Sequence, residues 1–220
     1  MPDTTDPQQL DQLPLMPVST VGQLPLIGQL RRPPNSELRS REHLLEKEVD
    51  RLLIAAKKSK RHAHRNYTLI LMMFRHGLRV SEVIALRWGQ VDFDEGNLYV
   101  RRLKQGKPST HPIPGVELRA LRILHRRYSD SPFLFVSDRA GGGSPLTDHA
   151  VRKLVSRLGV EAGFDFPVHP HQLRHACGYY LADQGFDLRR IQDYLGHRNI
   201  HHTVRYTELA PGPFKEFWKD

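Results

Sequence analysis

The sequence is poor in cysteine and has no long apolar run. Cys177 is the single cysteine among 220 residues, which excludes a disulfide scaffold and any cysteine-rich zinc module. No stretch approaches the roughly 18 apolar residues that a membrane-spanning helix needs. The first residues also lack the basic and apolar regions of a secretory signal. These absences predict a protein of a reducing compartment, for which we expect a cytoplasmic location and no membrane partner.

Acidic residues are outnumbered. The chain has 33 Lys and Arg against 24 Asp and Glu, which gives a net charge of +9 at pH 7. Residues 1–40 carry a net −1, so residues 41–220 carry the whole excess, a net +10. A basic domain of this kind favours an anionic partner, most often a nucleic acid. A solvated basic surface is the alternative reading of the same charge.

Proline divides the chain into regions. Residues 1–40 hold seven of the sixteen prolines, and repeated prolines oppose helices and central strands. We therefore predict a disordered Pro-rich arm over residues 1–40, a folded domain over 41–210 and a tail over 211–220. In the tail, Phe214, Phe217 and Trp218 share one helical face. That face would pack either on its own domain or on a neighbouring protomer.

Apolar side chains recur at helical spacing along most of the folded region. A strand at Leu98–Val100, a hairpin tip at Gln105–Lys107 and an edge strand at Thr110–Pro114 interrupt the helices. The predicted fold class is mainly α with a small antiparallel β-sheet (α+β). The predicted helices cover the stripe from Leu45 to Ala56, Tyr67–Phe74, the stripe from Val80 to Leu86, Val116–Tyr128, a helix capped by Thr147, His171–Gln184, Asp187–Leu195 and His201–Tyr206.

Several basic or nucleophilic side chains stand at helix starts and turns, where core packing does not require them. Arginines make bidentate contacts with phosphate oxygens, a lysine can protonate a leaving alkoxide, and a tyrosine beside arginines can act as a nucleophile. This chemistry needs neither a metal nor a cofactor. Histidines at 169, 171, 201 and 202 do not form a closed ligand set. The candidates are Arg79, Glu82, Lys104, His171, Arg174, His175, His197 and Tyr206.

Four motifs carry a resemblance: Gly77–Glu82, His171–His175, Leu195–Asn199 and Tyr206. In this order and spacing they resemble the tyrosine site-specific recombinase (phage integrase) family over roughly residues 42–210. The stretches Arg65–Tyr67, Thr110–Pro112, His169–His171 and Ile191–Ile200 are similar to those of the small fimbrial phase-switch recombinases. That subtype lacks a separate core-binding domain, and the short arm of this chain is consistent with it.

The resemblance implies a role for each candidate. Arg79 and Arg174 would clamp the scissile phosphate, and His171 and His197 would hydrogen-bond it. Tyr206 would attack and form a 3′-phosphotyrosine.

Three further residues have supporting or alternative roles in this scheme. Lys104 would protonate the leaving 5′-oxygen, with Lys107 as its rival in the same hairpin. Glu82 would brace the site by pairing with a neighbouring Arg or His, and His175 would support it.

The implied partner is double-stranded DNA, bound by a homo-tetramer on paired sites, with a possible accessory DNA-bending protein. Inversion, excision and integration share this chemistry. Strand relaxation of the type IB topoisomerase kind and non-catalytic regulation are the alternatives. Tyr206 lies in a polar run and is predicted at the surface, whereas Tyr99 and Tyr194 are predicted in the core.

Overall fold

The computed structural model describes residues 42–102, 106–137 and 143–208. These residues form a mainly helical structure with a three-stranded antiparallel sheet, which confirms the predicted fold class. The predicted arm, the predicted tail and Lys104 lie outside the described residues. Within those ranges, no helix is long and apolar enough to cross a bilayer.

Eight α-helices occur in the described part of the chain, and a short 3-10 turn at Trp88–Gln90 precedes the sheet. Most begin and end within three residues of their predicted bounds. The helices are α1 Glu46–Lys58, α2 Ala63–Arg75, α3 Val80–Ile84, α4 Gly115–Tyr128, α5 Asp148–Glu161, α6 Pro170–Asp183, α7 Leu188–Leu195 and α8 His201–Glu208.

The first helices form because their apolar stripes face each other. In α1 the stripe buries Val49, Leu52 and Ala56, and α1 packs on α2. Helix α2 is buried over most of its length, as expected for a continuous apolar run. Gly77 follows it with φ of +56°, a left-handed conformation that glycine adopts without a Cβ penalty. The predicted end of this helix at Gly77 is therefore confirmed.

The sheet has the order β1-β2-β3, with β1 at Val91–Asp92, β2 at Asn97–Val100 and β3 at Ser109–Pro112. Strand β3 lies at an edge, as its proline requires. The two-residue strand β1 was not predicted, because its pairing with β2 depends on contacts outside its own sequence. The prediction that Tyr99 is a core residue is wrong: strand alternation points it outward, and it is 47% exposed.

A buried polar network joins the edge strand to the helices. The carboxylate of Glu117 accepts a hydrogen bond from His76 Nε2 at 2.7 Å, and His76 Nδ1 lies 3.1 Å from His111 Nδ1. His111 Nε2 lies 2.8 Å from the Ser109 hydroxyl. Burial lowers the pKa of His111 to about 2, so its ring is neutral, with one nitrogen donating and the other accepting a hydrogen bond. The network fixes β3 against α2 and α4.

Two groups of buried side chains meet at the candidate site. The larger core is formed by side chains from the helices α1 through α6 and from the sheet. The smaller cluster lies where α6, α7 and α8 meet, with Tyr194 of α7 packed against it while half-buried. Its buried members are Cys177, Tyr179, Ala182, Ile191, Leu195 and Tyr206.

Candidate active site

Arg79 stands at the entrance of α3 and is held by Glu82. Its backbone N–H donates to Glu82 Oε2 at 2.9 Å, and its Nη1 donates to Glu82 Oε1 at 2.8 Å. The Arg79 side chain is 29% exposed, whereas the Glu82 side chain is 1% exposed. The carboxylate therefore fixes the base of the arginine while part of its guanidinium still faces solvent.

Arg174 of α6 is buried and joins two other motifs. Its Nη1 donates to the carbonyl of Gly77, and its Nη2 donates to the carbonyl of Leu195 at 2.7 Å. Gly77 and Leu195 each begin one of the motifs singled out in the sequence. Burial, reinforced by Arg79 and Arg102, lowers the pKa of Arg174 to about 9, which leaves the guanidinium charged at neutral pH.

A third arginine, Arg102, belongs to this cluster and was missed by the sequence analysis. Its Nη1 donates to Glu82 Oε2 at 2.9 Å, beside the two arginines already described. Strand alternation could have found it, since Leu98 and Val100 are buried and Arg102 continues their face beyond the end of β2.

His197 follows α7 and is oriented by a hydroxyl. Its Nδ1 lies 2.8 Å from Thr203 Oγ1, which leaves Nε2 as the ring nitrogen available to a phosphate oxygen. Burial, helped by the positive charges of Arg174 and Arg79, lowers the pKa of His197 to about 3. The imidazole is therefore neutral at physiological pH.

His171 lies in the first turn of α6, where it is exposed. Its ring meets the ring of His175 edge-on, with centroids 4.5 Å apart. Together with Arg79 it lines an open groove of about 470 Å³, to which Asp148 and Arg152 of α5 also contribute. The groove gives an anionic ligand access to the exposed part of Arg79.

The prediction that Tyr206 lies at the surface is wrong. Tyr206 is 1% exposed, and its hydroxyl lies 2.9 Å from His175 Nδ1. The ring packs on Gly178 of α6, where an added Cβ would stand only 2.6 Å from the tyrosine. The polar residues of its segment indicated exposure, but α8 buries Thr203 and Tyr206, and Gly178 leaves room for the tyrosine ring.

The environment of Tyr206 keeps it protonated. Burial raises the pKa of Tyr206 to about 12, although Arg174 and Arg205 act in the opposite direction. Burial also lowers the pKa of His175 to about 2, so that ring is neutral and can accept a hydrogen bond from the phenol. The rings of Tyr206 and His197 lie 6.2 Å apart. The tyrosine thus sits beside the basic cluster as a hydrogen-bonded phenol.

Lys107 is the described member of the two hairpin lysines. Its ammonium lies 3.9 Å from the carboxylate of Asp193 on α7, in an exposed ion pair. Lys104, the candidate general acid, lies outside the described residues, so its role stays a prediction.

The fold is that of recombinase catalytic domains. A crystal structure of XerA recombinase superposes with a TM-score of 0.68 at 29% sequence identity, over 80% of this chain and 63% of that one. A crystal structure of XerH site-specific recombinase bound to a palindromic difH substrate has the same fold, with a TM-score of 0.67 at 23% identity over 80% of this chain and 52% of that one.

Sequence comparison gives the family. The model of the phage integrase family matches residues 42–212. The type 1 fimbriae regulatory protein FimB of Escherichia coli K12 is 41% identical over 185 residues, which cover 82% of this chain and 90% of FimB. The chain belongs to the phage integrase family of tyrosine recombinases, and both the family and the similarity to fimbrial proteins expected from the motifs are confirmed.

Proposed function

We propose that this protein cuts and rejoins double-stranded DNA at a specific site through a 3′-phosphotyrosine on Tyr206. The observation that carries the proposal is that the motifs meet at one place. Arg174 donates hydrogen bonds to the carbonyls of Gly77 and Leu195, the first residues of two motifs. Tyr206 packs on α6, the helix that carries Arg174. Membership of the phage integrase family supports the same reaction.

In the first step the Tyr206 oxygen attacks the phosphorus, its phenolic proton passes to the imidazole of His171, and the bond from phosphorus to the 5′-oxygen breaks. Arg79 and Arg174 hold the non-bridging oxygens and stabilise the charge that develops on them. His197 donates a hydrogen bond through Nε2–H, provided that its Nδ1 accepts from Thr203. Lys104 gives a proton to the departing 5′-oxygen, as the family resemblance implies.

In the second step a 5′-hydroxyl of a partner strand attacks the phosphotyrosine and returns its proton to Lys104, while the bond from phosphorus to Tyr206 breaks and His171 gives the phenolic proton back. The phosphoester bond energy is conserved in the intermediate, so the cycle consumes no nucleotide. His171, exposed on the groove beside Arg79, assists proton transfer. The similarity to fimbrial recombinases favours inversion of a DNA segment as the outcome.

The assembly that we propose is a tetramer on paired sites, in the cytoplasm, with an accessory DNA-bending protein. The catalytic domain of this proposal covers residues 41–210. The tail at 211–220 is a candidate contact between protomers.

Covalent trapping tests this function. The protein is incubated without metal with sheared genomic DNA from its source, quenched in denaturant and digested, and mass spectrometry then locates nucleotide adducts. We expect an adduct on Tyr206 in the wild type and in Tyr180→Phe, an exposed tyrosine on α6, and none in Tyr206→Phe. Sequencing the attached DNA then gives the target site.

Other outcomes separate the alternatives. Salt-sensitive DNA binding without any adduct would favour a non-catalytic regulator. Relaxation of a supercoiled plasmid without a joined partner strand would favour topoisomerase-type chemistry. An adduct that persists in Tyr206→Phe would contradict the proposed nucleophile.

A further inference from the structure

Arg102 occupies a closed site between the end of β2 and the end of α7. Its side chain is 0% exposed. An added Cβ at Gly196 would stand 2.6 Å from Arg102 Cγ, and one at Gly106 would stand 2.7 Å from Arg102 Cβ. Two glycines therefore leave just enough room for this arginine, which indicates a built position rather than a surface side chain folded inward.

Three hydrogen bonds fix the guanidinium. Besides the bond to Glu82, its Nη2 donates to the carbonyls of His76 at 3.1 Å and Tyr194 at 2.5 Å. His76 follows the last residue of α2, and Tyr194 lies in the last turn of α7. Carbonyls at helix C-termini lack intrahelical partners and carry partial negative charge. Arg102 satisfies both and so ties two helix ends to one carboxylate.

Glu82 is a buried carboxyl whose negative charge Arg102 balances. The positive charges around it hold the pKa of this carboxyl below its usual range despite burial, with Arg102 as the strongest of them. Glu82 is therefore an anion beside the arginines assigned to the phosphate. Its charge cancels one of those two cations, and the charge of Arg102 restores the total to two.

We propose that Arg102 is a positioning residue for DNA cleavage, which neutralises Glu82 and thereby leaves the full charge of Arg79 and Arg174 to the scissile phosphate. This inference rests on the proposed function. A phosphodiester carries one negative charge, and its pentacoordinate transition state carries about one more. Loss of one positive charge therefore destabilises the transition state more than it destabilises the bound substrate.

The bond geometry calls for arginine rather than lysine. One planar guanidinium supplies donors to three acceptors in fixed directions, whereas an ammonium acts as a point charge. Arg102→Lys therefore keeps the charge beside Glu82 but loses part of the tie between the helix ends. Arg102→Met removes both. The two variants separate the charge from the geometry, and Arg101→Met, an exposed neighbour, serves as the matched control.

The test measures the single-turnover rate of phosphotyrosine formation on a duplex carrying the trapped target site. We expect Arg102→Met to slow the rate by about 10- to 100-fold, within the range seen when one charge-stabilising donor is lost. We expect its Kd for the duplex to change less than about threefold. Arg102→Lys should fall between Arg102→Met and the wild type, and Arg101→Met should stay within about threefold of the wild type.

A second substrate distinguishes charge from structure. In a duplex with a neutral methylphosphonate at the scissile position, one negative charge is absent, so the deficit of Arg102→Met relative to wild type should shrink. The double variant Glu82→Gln with Arg102→Met should also be faster than the product of the two single effects predicts, because it no longer leaves an uncompensated carboxylate.

Equal deficits on both substrates, without any coupling to Glu82, would overturn the inference and leave Arg102 as a purely structural residue. An Arg102→Met protein that cleaves at the wild-type rate would also overturn the inference, but it would leave the proposed function intact. Absence of any wild-type adduct would instead defeat the proposed function and this inference with it.

Discussion

The two sides of the candidate site are held in different ways. On the phosphate side, the guanidiniums of Arg174 and Arg102 reach four backbone carbonyls and surround Glu82 in the interior. On the nucleophile side, the Tyr206 hydroxyl makes one hydrogen bond within the described part of the chain, to His175. Arg205 adds an exposed ion pair with Glu42, and such surface pairs contribute about 0–1 kcal/mol.

This contrast shows which half of the site is preorganised. Donors that are fixed before the substrate arrives need no reorganisation when charge develops, which makes them effective in stabilising a transition state. Tyr206, by contrast, is held mainly by the packing of its ring on Gly178 of α6. The phosphate side is therefore fixed by hydrogen bonds, and the nucleophile side depends on ring packing.

Arg174→Met should have the largest effect, because it breaks the fixed side. It removes a phosphate clamp and leaves two buried carbonyls, those of Gly77 and Leu195, without their donor. We expect phosphotyrosine formation to fall by about 10²–10³-fold and the free energy of unfolding to fall by about 1–3 kcal/mol for each orphaned carbonyl.

Single-turnover cleavage and urea unfolding measure these two effects. Arg126→Met, at an exposed position on α4, is the matched control and should change neither quantity. Loss of cleavage without any loss of stability would contradict the view that Arg174 also holds the motifs together.

Gly178→Ala should have an intermediate effect, on the nucleophile side. The new methyl group would stand 2.6–2.7 Å from the Tyr206 ring, so we expect α8 to detach and the tyrosine to become accessible. The gain in helix propensity from glycine to alanine, about 1 kcal/mol, partly offsets the lost packing. Nitration by tetranitromethane, mapped by mass spectrometry, should rise at Tyr206.

Gly89→Ala is the control, since nothing lies within 4 Å of its new methyl group. Unchanged nitration in Gly178→Ala would show that the ring finds room within the smaller cluster and that α8 stays docked.

The smallest expected effect is the ionisation of the Tyr206 phenol, one of the seven tyrosines in the chain. With its pKa raised to about 12 from an ordinary value of 10, Tyr206 contributes stability that is fully present below pH 10. This contribution is lost as pH rises through 12, because the unfolded chain gives up the proton first.

The phenolate absorbance at 295 nm, measured for wild type minus Tyr206→Phe, should therefore titrate near pH 12. A difference titration centred at or below pH 10 would mean that the tyrosine is exposed in solution.

Local patterns predicted most of the elements. The stripe of α1, the Thr147 cap of α5 and the proline-marked edge strand were all read from neighbouring residues. Thr147 Oγ1 does accept from the backbone N–H of Ala150. Such signals succeed because helix periodicity, capping and proline chemistry act over a few residues.

Tyr99 was mispredicted although strand alternation is local, but other incorrect or missing predictions depend on contacts between residues that lie apart in the chain. Strand β1 exists because Val91 pairs with Leu98. Tyr206 is buried because Gly178, in another helix, leaves space for its ring. Arg102 joins the site through Glu82, twenty residues earlier, and through a carbonyl of Tyr194, ninety-two residues later.

The sequence by itself determined the residue types of the chemistry and the helices on which they stand, because motif spacing and apolar periodicity are local properties. Only the tertiary structure decided which arginines share Glu82, which histidine holds the Tyr206 hydroxyl and which side of the site is rigid. Burial and long-range hydrogen bonds set those features, and both exist only after the helices have packed.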